Sequence, residues 1–219
     1  MGAHPVQEAF ESVRIVEANV SIGDEFLVPP QVSAWFVNFC VLDRRTGCGC
    51  GEGCSNRAMH YECEVETCPC GYQCTNRKFQ IGFSVSAAVV DCGRKGVGLV
   101  AMEFFDADEY VGEYVGEVLT NTEATFQSRY YGRLAHYYML RMSANQAIDA
   151  THFGGRMRFI NHSCDPNCVF EKWNVCGQER CGVLLRAKCK EVRNLLSTIT
   201  FTMSIVRYDD NKRICCGFI

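Results

Sequence analysis

Eight cysteines fall within the 35 residues from Cys40 to Cys74, and no other feature of this 219-residue chain limits its fold so strongly. They run Cys40, then Cys48, Cys50 and Cys54, then Cys63, Cys68, Cys70 and Cys74, among Gly and Asn turn formers that leave little apolar sequence for a core. A segment of this kind is held either by disulfides or by metal thiolates. The N-terminus, Met1 to Val6, has no basic stretch followed by an apolar one, so no signal peptide is expected, and Val6 stands where a myristoylation site needs Ser or Thr. The compartment is therefore read as intracellular and reducing, with zinc as the metal. Zn²⁺ takes four soft ligands in a tetrahedron, and short C-x-C and C-x3-C spacings bring thiolates onto one turn. Eight thiols fill two closed sites outright, or seven do so with one thiolate bridging. A closed site contributes folding energy rather than catalysis.

Beyond residue 81 the texture changes. Short β-prone stretches recur with turn signals between them and few helical ones, which predicts a mostly β domain with short helices. Strands are expected at 97–101, at 136–142 and at 169–175. A β-rich pair is expected over 110–119, around Gly112 and Gly116. Cys176-Gly177-Gln178 reads as a hairpin turn into a strand over 180–187, and the β-branched run 198–206 as the last strand. Helices are expected over 10–20 and 123–134. At 47% hydrophobic the chain can bury a sizeable core, and no apolar run reaches the roughly 18 residues of a membrane span. The formal charge of −3 does not suit bulk electrostatic binding to nucleic acid, and it suits a basic peptide substrate.

One further segment carries chemistry: Arg158-Phe159-Ile160-Asn161-His162-Ser163-Cys164-Asp165-Pro166-Asn167-Cys168, an Asn-His pair with a metal-competent thiol and a Pro-fixed turn. It does not stand alone. Cys50-Gly51-Glu52-Gly53-Cys54-Ser55-Asn56-Arg57, Glu62-Cys63 and Cys68-Pro69-Cys70-Gly71-Tyr72-Gln73-Cys74-Thr75-Asn76-Arg77 precede it. Lys95-Gly96-Val97-Gly98-Leu99, Glu113-Tyr114-Val115-Gly116-Glu117-Val118, His136-Tyr137-Tyr138 and Ile148-Asp149-Ala150 follow in order, and Lys172-Trp173 comes after. Together they resemble the AWS (associated-with-SET) module and SET domain of the nuclear histone H3 lysine-36 methyltransferases, over roughly residues 38–216.

The resemblance implies a SET-domain β-fold (82–206), preceded by a lead segment (1–37) and a zinc-held AWS module (38–81), and followed by a truncated post-SET tail (207–219). It implies S-adenosylmethionine as methyl donor, with Lys95, Val97, His136, Tyr137, Tyr138, Asn161, His162 and Phe201 around it, and Tyr114 as the catalytic residue lining the lysine channel. In the AWS module it implies two zinc ions. One takes Cys40, Cys50 and Cys54, with Cys48 as the candidate for the thiol that Leu42 replaces. The other shares a thiolate and takes Cys63, Cys68 and Cys74, which leaves Cys70 over. A third, post-SET zinc would use Cys164 and Cys216, and with Cys215 at most three ligands are present. The implied partners are the histone H3 tail and the nucleosome, in the nucleus on chromatin, without a membrane and without sequence-specific nucleic-acid binding.

The chemistry suits these residue types. Methyl transfer is an in-line displacement, so the protein mainly aligns the reactants. The lysine must be neutral, and an apolar aromatic channel disfavours its ammonium form. Blander roles remain for individual residues: Tyr137, Tyr138 and Trp173 as core aromatics, and Asp106, Asp108 and Glu109 as a solvated turn. One departure is sharp. Where the family has a catalytic tyrosine near its last SET strand, this chain has Met203. The expectation is therefore a histone-lysine N-methyltransferase with attenuated activity. The alternatives are a catalytically inactive histone-binding relative and a purely structural zinc protein.

Overall fold

The computed structural model describes residues 4–21, 54–82, 84–103, 108–131, 138–143, 145–163 and 165–186, together with the backbone of five short strands outside these ranges. Helix α1 (Pro5–Glu11) opens the chain: Pro5 occupies the first turn, and the His4 ring accepts a hydrogen bond from the Val6 N–H. The helix expected over 10–20 is not formed. Ser12 closes α1, and the chain then makes two short strands, β1 (Arg14–Ile15) and β2 (Val20–Ser21). The two backbone-only strands β3 (Leu42–Asp43) and β4 (Gly47–Cys48) form a small antiparallel pair, and α2 (Ser55–Ala58) follows. Beyond it a hairpin joins β5 (Ala87–Asp91) to β6 (Val97–Ala101) through a turn in which Gly93 and Gly96 take φ of 63° and 70°.

The residues read as a β-rich pair over 110–119 form β7 (Tyr110–Glu113) and β8 (Gly116–Thr120), but the two do not pair with each other. Helix α3 (Asn121–Tyr131) lies within three residues of its expected bounds. It is opened by a reciprocal cap: Thr120 Oγ1 accepts the Glu123 N–H, and Glu123 Oε2 accepts the Thr120 N–H at 2.8 Å. The strand expected over 136–142 is the shorter β9 (Met139–Arg141). The nine-residue β10 (Gln146–Gly154) was not anticipated. It is buried along most of its length, so no apolar–polar alternation marks it.

After β11 (Asn161–His162) comes the long hairpin of β12 (Cys168–Val175) and β13 (Gln178–Leu185), close to expectation. Its turn residues Cys176 and Gly177 have φ of 50° and 82°, the positive values that a two-residue hairpin of the I′ type demands. Of the run 198–206, β14 (Thr202–Met203) is the described part. It is not the last strand, because β15 (Arg207–Asp209) and β16 (Lys212–Ile214) follow as an antiparallel pair.

The strands assemble into small sheets. The largest runs β1-β10-β8-β2, with β9 also paired to β10, and the lead segment supplies both flanking strands in parallel register. A second runs β12-β13-β7. Between them lies the main core, built on Leu99, Val111, Tyr114, Ile148, Ala150, Phe159, Val183 and Leu185. No helix among the described residues is long and apolar enough to cross a membrane.

Gly116 shows how tightly this core closes. A Cβ built there would lie 2.5 Å from the Asp149 carbonyl oxygen, a backbone atom of the neighbouring strand. Gly116→Ala should therefore cost about 1–3 kcal/mol through forced separation of β8 and β10. Denaturant unfolding reads this, and an unchanged midpoint would contradict it.

Candidate functional site

The first cluster of chemistry is a knot of buried thiols. The Sγ atoms of Cys63, Cys68 and Cys74 all lie within 4.8 Å of one another, and Cys54 Sγ is 3.9 Å from Cys63 Sγ. Zinc–sulfur bonds of about 2.3 Å in a tetrahedron place sulfurs roughly 3.8 Å apart, so this donor set fits a metal of that kind. Two amides complete the fit. Asn56 Nδ2 and Asn76 Nδ2 each point a donor at Cys63 Sγ, at 3.4 Å. Such N–H···S contacts orient and stabilise a thiolate ligand. Burial opposes ionisation of Cys63, yet the hydrogen bonds from Asn76 and Asn56 and from the neighbouring thiols outweigh it, and its pKa falls below the ordinary thiol value. Without a cation, burial and the Cys68 and Cys63 thiols push Cys74 up to about 12. Cys70, left outside both ligand sets by the sequence, is half-buried and packs against this cluster.

Asn56 and Asn76 were quoted in the sequence motifs but not nominated. Their signal was present: Cys54-Ser55-Asn56-Arg57 and Cys74-Thr75-Asn76-Arg77 are one tetrad repeated with Thr for Ser, each thiol followed two residues later by the asparagine that serves Cys63.

The thiol module is fastened to the β domain through the residue beside Cys63. Glu62, 3% exposed, accepts the Phe79 N–H at 2.7 Å and the Gln80 N–H and side-chain amide at 3.1 Å each. Its backbone N–H donates to the Asn174 carbonyl on β12. The Phe79 ring packs on Tyr110 and Trp173, and His60 stacks on Trp173 at 5.2 Å. Trp173 is thus a core residue, as read from the sequence. Burial raises the Glu62 pKa, and the three hydrogen bonds work against that rise. Glu62→Gln leaves one acceptor oxygen for three donors and should cost about 1–3 kcal/mol. Comparing urea midpoints of the two proteins tests this, and equal midpoints would make the clasp dispensable.

The second cluster lies where β6, β7, β10 and β11 converge. Tyr114, 6% exposed, donates its hydroxyl to the Tyr138 carbonyl at 3.2 Å and meets Phe170 edge-on at 5.3 Å. Burial pushes its pKa up, the Arg158 charge only partly offsetting this, so the phenol stays a neutral donor at physiological pH. Asn161 Nδ2 donates to the Val97 carbonyl at 3.1 Å, which ties the signature segment to the start of β6. Val97, Tyr138, Asn161 and His162 are all half-buried, whereas Lys95 is exposed in the turn before Gly96. Strand β14 runs parallel to β11 and sets Met203 opposite His162. A neighbouring fork fixes the residue before Tyr114: Arg180 on β13 grips the Glu113 carboxylate with Nε and Nη2.

The structure therefore brings Val97, Tyr114, Tyr138, Asn161 and His162 into one region, and Cys54, Cys63, Cys68 and Cys74 into another. His136, Tyr137, Phe201, Cys40, Cys50, Cys164 and Cys216 lie outside the described residues. Of Cys48 only the backbone is described, in β4, directly opposite Leu42. Arg158 was quoted in the signature but given no role, and it proves to be the buried cation behind Tyr138.

This arrangement, a thiol-knotted module docked on small β-sheets whose strands converge on a buried tyrosine, matches known families in the same order along the chain. The AWS domain model matches residues 45–81 and the SET domain model residues 96–192. The chain belongs to the SET-domain family and carries an AWS domain ahead of the SET domain. Among its relatives, the histone-lysine N-methyltransferase ASHH1 of Arabidopsis thaliana is 41% identical over 173 residues, 78% of this chain and 34% of that protein. The histone-lysine N-methyltransferase SETD2 of Homo sapiens is 37% identical over 171 residues, 77% of this chain and 6% of that one. The chain thus spans about a third or less of these relatives. The fold is shared with ctPRC2 bound to S-adenosylmethionine, at a TM-score of 0.59 and 20% identity over 70% of this chain and 21% of that one.

Proposed function

We propose that the chain transfers a methyl group from S-adenosylmethionine to a lysine of histone H3, of the lysine-36 type, acting on nucleosomes in the nucleus. The observation that carries this reading is the convergence of buried Tyr114, the Tyr138 backbone and the Asn161–Val97 tie on one face of a SET domain. S-adenosylmethionine supplies an activated methyl carbon, and the lysine nitrogen bonds to it as the carbon–sulfur bond breaks. The protein's task is then alignment and dehydration. The buried ring of Tyr114 and the half-buried ring of Phe170 offer little solvation to an ammonium, which favours the neutral nucleophile. Val97, Tyr138, Asn161 and His162 form the donor-side wall, with Lys95, His136, Tyr137 and Phe201 joining them. Zinc is assigned to Cys63, Cys68 and Cys74 with a shared thiolate, and a second ion to Cys40, Cys48, Cys50 and Cys54. Cys164 and Cys216 belong to a third site.

A second reading has one observation in its favour. The residue opposite His162 is Met203, which has no hydroxyl, so the same groove can serve a chromatin protein that binds the histone tail without methylating it. The deciding experiment is methyl transfer from labelled S-adenosylmethionine to recombinant nucleosomes, with H3 lysine 36 replaced by arginine as the control. Label on H3 that disappears in the control is the expected result. Binding of donor and nucleosome without label supports the second reading, and binding of neither overturns both.

A further inference from the structure

One buried ionisable group has no task in this reaction. Arg158 is 4% exposed and makes no ion pair among the described residues. Its Nε donates to the Ala150 carbonyl at 2.8 Å and its Nη2 to the Thr151 carbonyl at 3.4 Å. The guanidinium carbon lies 4.0 Å from the centroid of the Tyr138 ring and 5.1 Å from that of Phe159. The pocket is shaped for this side chain, because a Cβ at Gly154 would sit 2.9 Å from Arg158 Cδ.

These contacts lead to the tyrosine of the channel. The Tyr138 carbonyl accepts both the Ala150 N–H, at 2.7 Å, and the Tyr114 hydroxyl, at 3.2 Å. The Tyr138 N–H donates to Thr151 Oγ1 at 3.0 Å. Tyr138 is thus anchored on Ala150 and Thr151, the two residues whose carbonyls Arg158 holds, while the guanidinium plane covers its ring. On the methyltransferase reading above, we propose that Arg158 is a positioning residue: it braces Tyr138 against the Ala150–Thr151 backbone and so fixes the place of the Tyr114 hydroxyl. It touches neither substrate nor donor. A guanidinium suits the role because it combines diverging donors with a flat face, and an ammonium cannot do both. Burial lowers the Arg158 pKa, while Tyr138, Tyr114 and Asp149 act in the opposite direction.

The test is a double-mutant cycle of Arg158→Lys and Tyr138→Leu, read as kcat, as KM for donor and peptide, and as thermal unfolding. Arg158→Lys keeps the charge and loses the fork. It should lower kcat by about 10²-fold with each KM within about 2-fold, since a displacement of the reacting groups by an ångström has that effect. In the Tyr138→Leu background the same change should lower kcat less than about 3-fold, because the braced ring is already gone. Independent, multiplying losses would overturn the proposal, as would an unchanged kcat. Arg158→Gln, planar and uncharged, is the second variant, and failure of both to fold would make Arg158 a stability residue and overturn it too. All rates are also measured in the Met203→Tyr protein. If neither parent transfers methyl groups, the methyltransferase reading falls by itself. The cycle in thermal unfolding then still judges the brace, and zero coupling between residues 158 and 138 rejects it.

Discussion

Met203→Tyr should raise the rate of methyl transfer by about 10²–10³-fold, the usual worth of one positioned hydroxyl at a reacting centre. The backbone of β14 pairs residue 203 directly with His162, and Asn161 beside it is tied to the Val97 carbonyl. A side chain at 203 therefore stands on the strand pair that carries the signature segment. Methionine carries a polarisable thioether and cannot donate a hydrogen bond. In the parent chain the Tyr114 hydroxyl, proposed above to line the lysine channel, donates to the Tyr138 carbonyl. A second hydroxyl would add an orienting contact to the amine in the transition state, so the gain should fall in kcat and leave donor affinity nearly unchanged. Single-turnover rates with labelled donor, alongside calorimetric donor binding, measure both. Equal rates in the two proteins would show that Tyr114 orients the amine alone. A gain in binding with no gain in rate would place residue 203 against the donor, away from the reacting nitrogen.

What could be read beforehand follows from how local each signal is. The hairpin at Cys176-Gly177 is legible because its positive φ values make a local demand on residue type, and β6 because it follows a glycine turn. The pairing over 110–119 was misread because β7 and β8 look like a hairpin in sequence. In the fold Tyr114 and Val115 carry the chain from one sheet to the other, which only the strands β13 and β10 decide. Strands β1 and β2 are two residues each and owe their form to backbone partners on β10 and β8, far along the chain (Arg14 pairs with Phe153 and Val20 with Glu117), so nothing in their own sequence announces them. The site divides in the same way. Tyr114 and Asn161 could be nominated beforehand only through the family resemblance of their motifs, and the thiols through their spacing. Arg158 was not, because a basic residue among apolar ones does not reveal that its partners are two carbonyls and a ring face.

Removal of the metal should unfold the thiol module and take a large part of the domain's stability with it. The buried cluster within residues 54–74 consists of Cys54, Cys63, Cys68 and Cys74, with no aliphatic or aromatic side chain among them. Nothing apolar replaces the cation once it leaves. A structural zinc site of this kind contributes on the order of 10–16 kcal/mol at neutral pH, and that binding energy is folding energy. The loss spreads through Glu62, whose carboxylate holds Phe79 and Gln80, and through Phe79, packed on Tyr110 and Trp173. If about 5 kcal/mol of it reaches the β domain, the unfolding midpoint should drop by roughly 10–20 °C for a chain of this size. Cys63→Ser should reproduce the chelator's effect, because Cys63 is the thiol served by both Asn56 and Asn76. Cys92→Ser, outside every assigned ligand set, should not. Acidification should act like the chelator, since Cys74, at about 12 without a cation, must release its proton to bind one. The affinity therefore falls as pH is lowered. Zinc content by atomic absorption and thermal unfolding with and without chelator decide the matter: a chain that holds no zinc, or melts unchanged when stripped of it, would assign the fold of the module to something other than a metal.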